Sequence, residues 1–293
     1  MKDVDKRAGA VSLVDELKSQ GCEISESDLT LDHQGGLGAG GSGTVTRGLW
    51  LGTTDVAVKI LHEANNEADS EAMNDMYIEM GVLSRLRHPN IVSFFGYSHY
   101  MKSLCIVTEY VAGGDLNKYI FDASVAFTQE KRIAIAKNIC AGMVYLHSQN
   151  VMHRDLKPGN ILVTSWEAGT VKICDFGLSK ALKKGKILAD GVLSTPAYSA
   201  PELSFSKHTK AVDVYSFAII LWEMAARKQA WEDFKSILEL AVAVENGERP
   251  KMPPCEDSEG WYNEIVVKCW NQDPIERPTF REIFDMFREH QPR

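Results

Sequence analysis

The sequence predicts an α+β protein in which a small β-rich part precedes a larger, mainly helical part. From about residue 28 the apolar residues alternate in short, β-branched segments, which is typical of strands joined by tight turns. Beyond residue 111 they recur mostly every three or four positions, which is typical of helices. Such a change of period favours a sheet and a helical region built one after the other, with a boundary near residues 111–114.

The predicted elements follow in order along the chain. The strands are expected at residues 28–32, 44–51, 55–61, 90–97 and 103–111. One helix interrupts them at residues 68–87, where the apolar side chains are spaced by three or four. The later helices are expected at residues 129–148, 209–226, 234–245, 260–270 and 279–289.

A leader of 27 residues precedes the first strand. Its residues 9–20 place Val14 and Leu17 on one face of a short amphipathic helix, which Gly21 can end. The pattern leaves open whether this helix docks on the following part or is the tail of something upstream.

Length and composition exclude several classes of function. The chain has 293 residues and a net charge of −8, which argues against nonspecific nucleic-acid binding. Its six cysteines include no CxxC pair, which indicates reduced thiols rather than a disulfide framework or a zinc site. The longest apolar run, residues 214–222, is too short to span a bilayer. We therefore expect a cytoplasmic protein without membrane insertion.

A glycine-rich stretch, residues 35–48, lies between the first two predicted strands. Its composition suits a flexible linker, but its spacing is GxGxxGxV, from Gly38 to Val45. In a dinucleotide-binding fold a helix would follow this pattern, whereas here a strand follows it. Glycine removes the Cβ atoms that would keep a phosphate away from backbone amides, so a hairpin that covers phosphate groups is the alternative to a linker.

Two charged residues lie in apolar surroundings. Lys59 interrupts the strand VAVK, and Glu79 shares a helical stripe with Met76 and Leu83. A carboxylate on a buried stripe is costly unless it is paired. We therefore expect Lys59 to pair with Glu79 and to present its ammonium to a phosphate.

The larger part contains a polar loop at residues 151–163. Asp155, Lys157 and Asn160 lie within six positions, and Asp175 follows a strand twenty residues after Asp155. These groups can serve as a base for a hydroxyl, an anion clamp and ligands of Mg²⁺. Each motif taken alone also fits an ordinary surface turn.

The order of these motifs resembles that of the eukaryotic protein kinases over residues 28–290. GxGxxGxV, VAVK, the helix glutamate, HRDLKPGN, DFG and APE occur in the family's order and spacing. The resemblance implies the bilobal kinase fold: an N-lobe at 28–110 with a small antiparallel sheet and one regulatory helix, and a mainly helical C-lobe at 111–290.

The resemblance also implies a site for ATP and Mg²⁺ and a role for each motif residue. Asp155 would accept the proton of the substrate hydroxyl, Lys157 would clamp the γ-phosphate, and Lys59, paired with Glu79, would hold the α- and β-phosphates. The metal ligands would be Asn160 and Asp175. The remaining nucleotide contacts would come from Gly38, Gly40, Gly43, Val45, Ala57, Thr108, Glu109, Val111, Asp115 and Leu162.

Other features indicate the substrate class. Lys157 and the pair Thr195–Pro196 resemble the serine/threonine-specific members. Three motifs, LRHPNIVSFFGY, DVYSFAIILWEM and KCWNQDPIERPTF, resemble the tyrosine-kinase-like branch, which is mostly serine/threonine-specific. The implied partner is a protein with a Ser or Thr acceptor, with regulatory domains or an upstream kinase as further possibilities. The alternatives are a pseudokinase scaffold and a nucleotide sensor with the same fold.

The activation segment raises a separate question. No Ser, Thr or Tyr occurs between Lys180 and Leu193. Asp190 is the acid expected to stand in for a phosphate on Arg154, and Ser194 is the competing switch. The sequence leaves the two open.

Overall fold

The computed structural model describes residues 14–40, 43–61, 76–101, 103–176, 180–181, 195–204, 209–254 and 260–290. The chain divides into two compact units, Met1–Val111 and Ala112–Arg293. Within the described part of the chain, no helix combines the length and the apolar character needed to cross a membrane.

The first unit contains an antiparallel sheet of five strands in the order β1-β2-β3-β5-β4. The strands are β1 (Leu29–Gly40), β2 (Gly43–Trp50), β3 (Thr54–Ile60), β4 (Phe94–Tyr100) and β5 (Ser103–Glu109). The predicted sheet is confirmed, but some strand bounds differ: the fourth strand, predicted at residues 90–97, is found at Phe94–Tyr100, and the largest difference is at β1. This strand continues through the glycines to Gly40, so the glycine-rich stretch belongs to a hairpin and is not a linker.

The register of the sheet separates its two faces, because residues directly opposite each other in antiparallel strands point to the same side. Val45 of β2 lies opposite Lys59 of β3, and Ala57 of β3 lies opposite Thr108 of β5. These four residues therefore share one face. The other face carries a buried core cluster. That cluster consists of Ile24, Leu29, Leu31, Val56, Val58, Cys105 and Val107.

One helix of the first unit, α2, is described over residues 76–83. Its Met76, Met80 and Leu83 are buried, as the apolar period predicts. The prediction extended this helix to residue 87, but the chain leaves the helix after Leu83 and turns toward β4. The predicted first turns, residues 68–75, lie outside the described residues.

The leader contains a short helix, α1, over residues 14–19 of the described chain. Leu17 is buried, and Gly21 follows with a φ of +71°, a conformation that suits a glycine at a helix end. Beyond this turn the leader runs beside β4. Tyr97 N donates to the Cys22 carbonyl at 2.9 Å, and Ile24 N donates to the Tyr97 carbonyl at 2.8 Å. The described part of the leader is thus docked on the sheet of this unit.

The second unit is mainly helical and confirms the predicted helices to within a few residues. The helices described in this unit are α3 (Asn117–Ile120), α4 (Gln129–Ser148), α5 (Ala211–Ala226), α6 (Ile237–Glu245), α7 (Trp261–Cys269) and α8 (Phe280–Glu289). Nearly every side chain of α5 is buried, which explains why its sequence is apolar on all sides. The short α3 was not predicted, because four residues carry no readable period.

Helix ends in this unit are fixed by local capping. The Thr128 hydroxyl accepts from an amide at the start of α4, and Thr279 forms a reciprocal capping box with Glu282 at the start of α8. The predicted start of α6 at residue 234 is three residues early, because Ser236 caps the helix there.

Two small strand pairs carry the loops of the second unit. They are β6 (Val151–Met152) with β9 (Lys180–Ala181), and β7 (Ile161–Ser165) with β8 (Thr170–Ile173). The segment between β6 and β7 contains Asp155, and the segment after β8 contains Asp175. The polar motifs therefore lie at strand ends, where the backbone is irregular.

Candidate active site

In the first unit, β3 and α2 bring Lys59 and Glu79 together. Lys59 Nζ donates to Glu79 Oε2 at 2.7 Å, and the two side chains are 13% and 5% exposed. Glu79 lies between the buried Met76 and Met80, so an unpaired carboxylate at this position would be costly. The pair predicted from the apolar stripe is present.

The same face of the sheet carries three of the predicted nucleotide contacts. Val45 and Ala57 are partly exposed beside Lys59, whereas the intervening residues of β3 are buried in the core. Thr108 is opposite Ala57, and its hydroxyl Oγ1 donates to the Ala57 carbonyl oxygen at 3.5 Å. An apolar surface beside an ammonium suits a ligand with a flat apolar ring and an anionic tail.

The three glycines of the hairpin differ in what requires them. Gly43 has a φ of +145°, and a Cβ there would lie 2.3 Å from the Ile60 carbonyl oxygen. A glycine is therefore needed for the fold itself. Gly38 has no atom within 4 Å of the place a Cβ would take, so contacts within the protein do not require a glycine there. Gly40 pairs with Gly43 at the hairpin end.

The end of the first unit contains two predicted contacts, Glu109 and Val111. Glu109 N donates to the Ser93 carbonyl at 2.9 Å, and Ser93 N donates to Glu109 Oε1 at 2.6 Å. The backbone and the side chain of Glu109 are thus both bonded to the backbone of Ser93. Val111 is buried at the last position of the unit.

In the second unit, four groups converge on the buried carboxylate of Asp155. Lys157 Nζ and Asn160 Nδ2 donate to Oδ2 at 2.7 and 3.1 Å. The amide and the hydroxyl of Thr195 donate to Oδ1 at 3.2 and 2.9 Å. A carboxylate offers about four lone-pair sites, so these bonds occupy all of them. The structure brings the predicted base, clamp and amide into one hydrogen-bonded cluster.

The backbone of this loop is held from α5 by Asp213. Its carboxylate accepts from the amides of His153 and Arg154 at 3.0 and 2.8 Å, and from His147 Nε2 at 2.8 Å. Burial by itself would raise the pKa of Asp213, but the His147 hydrogen bond and the neighbouring imidazoles hold that pKa below its usual value. Asp213 lies in the first turn of α5, and its carboxylate anchors the loop backbone from there.

The predicted metal ligands lie at the same end of the antiparallel β7–β8 strand pair, with Asn160 directly before β7 and Asp175 shortly after β8. Asn160 uses Nδ2 for its bonds to Asp155, at 2.7 Å to the carbonyl and 3.1 Å to the carboxylate. Its Oδ1 takes no part in these two bonds and is the atom suited to a cation. Asp175 follows β8 with a φ of +61°, an uncommon conformation for a residue with a side chain. The next residue, Phe176, is fully buried with its ring 5.2 Å from that of His153.

Asp115 and Leu162 meet in an isolated bridge between the start of the second unit and β7. Among the described residues, Asp115 Oδ1 has no hydrogen-bond partner although it is buried. A buried acceptor without a partner is rare in folded proteins, and a ligand hydroxyl would satisfy it.

A further buried pair lies between Glu202 and Arg277. Arg277 Nη1 and Nη2 donate to the two carboxylate oxygens at 2.6 and 2.8 Å. This two-point contact has the geometry expected for the structural pair of the APE segment.

Sequence reasoning missed one cluster beside Asp155. Glu223 of α5 accepts from Tyr198 Oη at 2.9 Å and from Ala230 N at 2.9 Å. Burial raises the pKa of Glu223 to about 7, because the hydrogen bonds offset only part of the desolvation. The signal was available: Glu223 closes the longest apolar run of the chain, as Glu79 stands in an apolar stripe.

Several predicted positions lie outside the described residues. They are Gly41, Ser42, Gly177, Asp190 and Ser194. The choice between Asp190 and Ser194 as the activation switch therefore stays a prediction.

Comparison with known proteins gives a consistent set of relatives. The family model described as protein tyrosine and serine/threonine kinase matches residues 31–287. The probable serine/threonine-protein kinase drkD of Dictyostelium discoideum is 39% identical over 266 residues, which cover 89% of this chain and 20% of that protein. The serine/threonine-protein kinase CTR1 of Arabidopsis thaliana is 36% identical over 271 residues, 91% of this chain and 32% of CTR1.

A third relative carries a broader name. The dual specificity protein kinase shkC of Dictyostelium discoideum is 35% identical over 284 residues, which cover 94% of this chain and 54% of that protein. The chain thus spans between a fifth and about half of the length of these relatives.

Proposed function

This chain belongs to the protein tyrosine and serine/threonine kinase family, and we propose that it transfers the γ-phosphate of ATP to serine or threonine hydroxyls of proteins. One observation carries the proposal: the Asp155 carboxylate is buried, oriented by Asn160 and Thr195, and bonded to the partly exposed ammonium of Lys157. A positioned carboxylate beside an ammonium suits the transfer of a proton from a hydroxyl next to an anion.

The filled hydrogen-bonding capacity of Asp155 implies an order of events. A substrate hydroxyl can donate to Asp155 only when one of the present donors leaves. Lys157 is that donor, because it is a long, flexible side chain that is 28% exposed. When Lys157 turns to a phosphate oxygen, it neutralises charge there and frees a lone pair of Asp155 Oδ2 for the acceptor hydroxyl.

The residues present fit ATP. Asp115 Oδ1 is a buried acceptor without a partner in the described chain, as a ribose hydroxyl requires. In the first unit, Val45 and Ala57 would offer apolar contacts to an adenine ring, and Thr108, Glu109 and Val111 would add further contacts to it. In the second unit, Leu162 would add an apolar contact. Gly38, Gly40 and Gly43 lie in a hairpin that would cover the phosphates, and Lys59 would supply the ammonium that Glu79 orients.

The donor set also fits Mg²⁺. A carboxylate from Asp175 and an amide oxygen from Asn160 are the hard oxygen ligands that this ion prefers. When bound, the ion neutralises charge on the phosphates. Asn160 then has two tasks, because its Nδ2 also orients Asp155.

The proposal includes the substrate class, the cellular location and the partners of the protein. Lys157 at its position, and relatives named as serine/threonine kinases, favour serine and threonine acceptors. The described cysteines are free thiols, which fits a cytoplasmic location. Regulatory domains or an upstream kinase are candidate partners, since the relatives are longer than this chain.

Asp155→Asn tests the proposal. We expect it to lower transfer from Mg-ATP to myelin basic protein by about 10²-fold or more, because an amide cannot accept the proton. It should still gain thermal stability from Mg-ATP, since Asp155 is not a nucleotide contact. Asp285→Asn, which removes a half-exposed carboxylate from α8, is the matched control and should keep wild-type turnover.

Two results would contradict the proposal. Wild type that binds Mg-ATP but transfers no phosphate would indicate a nucleotide sensor or a scaffold. Asp155→Asn with wild-type turnover would remove Asp155 from the reaction.

A further inference from the structure

The loop between α5 and α6 contains a tryptophan in an unusual conformation. Trp231 has a φ of +66°, a left-handed conformation that is rare for a bulky residue. Such a conformation persists only where the surroundings hold it in place. At Trp231 the surroundings include hydrogen bonds made by residues that precede it in the loop.

The loop that carries Trp231 is tied down at two points. Arg227 donates to the backbone carbonyls of Ile120 and Val125 at 2.7 and 3.1 Å. Ala230 N donates to Glu223 Oε1 at 2.9 Å. Because Ala230 immediately precedes Trp231, this bond fixes the backbone from which the indole side chain extends. The indole ring also packs edge-on against the ring of Phe234, with 5.5 Å between the ring centroids.

From this platform Trp231 reaches the segment 195–198. Its Nε1 donates to the Ala197 carbonyl at 3.1 Å. The next residue, Tyr198, is held by α5, because its hydroxyl donates to Glu223 of that helix at 2.9 Å. Ser216 Oγ donates to the Tyr198 carbonyl at 2.8 Å. One end of the segment is therefore fixed by α5 and the loop after it.

The other end of the segment is Thr195, which contacts the candidate base directly. Its amide and hydroxyl donate to Asp155 Oδ1 at 3.2 and 2.9 Å, and Lys157 Nζ donates to its Oγ1 at 2.8 Å. Between the two ends the backbone forms a tight turn, with Tyr198 N donating to the Thr195 carbonyl at 2.9 Å. A displacement at Ala197 is thus transmitted to Thr195 within one turn.

We propose that Trp231 is a positioning residue for phosphoacceptor binding: its indole N–H holds the Ala197 carbonyl and thereby keeps Thr195 against Asp155. The inference rests on the proposed kinase function for its consequence in turnover. It assigns to Trp231 a role in how the acceptor hydroxyl meets Asp155, with no contact to ATP. Nothing in the sequence pattern singles out this residue, because its partner is a backbone carbonyl 34 positions away.

Trp231→Phe is the decisive variant, since it removes the N–H and keeps an aromatic ring of similar shape. The matched control is Trp222→Phe, because Trp222 Nε1 donates in the same way to the Lys251 carbonyl at 3.0 Å, away from the segment. Both substitutions delete one indole hydrogen bond to a backbone oxygen in the second unit.

With myelin basic protein as acceptor, we expect Trp231→Phe to lower kcat/KM for the acceptor about five- to tenfold, the worth of one hydrogen bond. KM for ATP should stay within about twofold of wild type. Trp222→Phe should leave both values unchanged. Equal kcat/KM in wild type and Trp231→Phe, or an equal loss in Trp222→Phe, would overturn the inference.

A second measurement does not depend on turnover. Hydrogen exchange of the amides of Thr195 and Tyr198 should become about five- to tenfold faster in Trp231→Phe and stay unchanged in Trp222→Phe. Unchanged exchange in Trp231→Phe would overturn the positioning role even in an active enzyme. If wild type transfers no phosphate, the kinase proposal fails, and the exchange experiment still decides whether Trp231 holds the segment.

Discussion

Lys59 of the first unit and its neighbours on the sheet stand on regular strands, whereas Asp155, Lys157 and Asp175 of the second unit stand on irregular backbone. Val45, Ala57, Lys59 and Thr108 share one face of a sheet because their register puts them there. Arg154 and Asp175 have φ values of +69° and +61°, which no regular element provides. The first arrangement follows from alternation along strands, and the second needs groups that hold the backbone from outside.

The source of that support also differs. In the first unit one ion pair, Lys59–Glu79, joins a strand to a helix 20 residues away. In the second unit a buried carboxylate, Asp213, holds the loop backbone from about 60 residues away. From this difference we expect that stability and phosphotransfer can be changed separately by substitutions in the first unit. In the second unit, a substitution of the supporting residue should lower both together.

The largest expected effect is that of Asp213→Asn. The amide cannot accept from all three donors that Asp213 now satisfies, so we expect a loss of about 3–5 kcal/mol in unfolding free energy, together with a loss of phosphotransfer. Chemical denaturation followed by fluorescence measures the first effect. Asp55→Asn, which breaks the exposed pair with Arg47, is the control and should cost less than about 1 kcal/mol. A similar cost in both variants would mean that burial does not set the importance of Asp213.

Lys59→Met comes next. It removes the ammonium that faces the phosphates, and we expect phosphotransfer to fall about 10²-fold or more, with a stability cost of up to about 3 kcal/mol from the unpaired Glu79. Adding Glu79→Gln should recover most of the stability and none of the activity. If the double variant recovers both, the pair acts only as structural support, and the contrast between the two units disappears.

The Glu223 carboxylate gives the pH dependence. Its pKa in the folded protein, about 7, lies above its usual value of 4.5, so the neutral form is favoured by folding. Stability from this group is therefore greatest below pH 4.5 and falls as the pH rises through 7. Between pH 5 and pH 8 wild type should lose about 2 kcal/mol relative to Glu223→Gln. Parallel stability curves for the two proteins would show that Glu223 is charged throughout.

The smallest effect distinguishes two glycines of one hairpin. Gly43→Ala should cost about 1–2 kcal/mol, because of the positive φ and the close Ile60 carbonyl. Gly38→Ala should leave stability within about 0.5 kcal/mol of wild type and raise KM for ATP. Thermal denaturation and initial rates measure the two effects. An equal loss of stability in both variants would contradict the division between a glycine required by the fold and one required by the ligand.

The sequence by itself determined the elements and the identity of the motif residues. Alternation and the three-to-four period predicted the sheet and the main helices, because burial of one face leaves a local record in the order of residues. The same rule identified Glu79, since a carboxylate on an apolar stripe must have a partner. Boundaries were less accurate: β1 continues through the glycines to Gly40, and α2 ends at Leu83 rather than at residue 87.

Only the tertiary structure decided how the irregular segments are held. The bonds from Asp213 to the amides of His153 and Arg154, and from Trp231 to Ala197, join a side chain to a backbone group far along the chain. A backbone amide or carbonyl is present at every position, so the sequence carries no mark of which one is used. The choice is made by packing, because each buried polar group must find a partner wherever the fold places one.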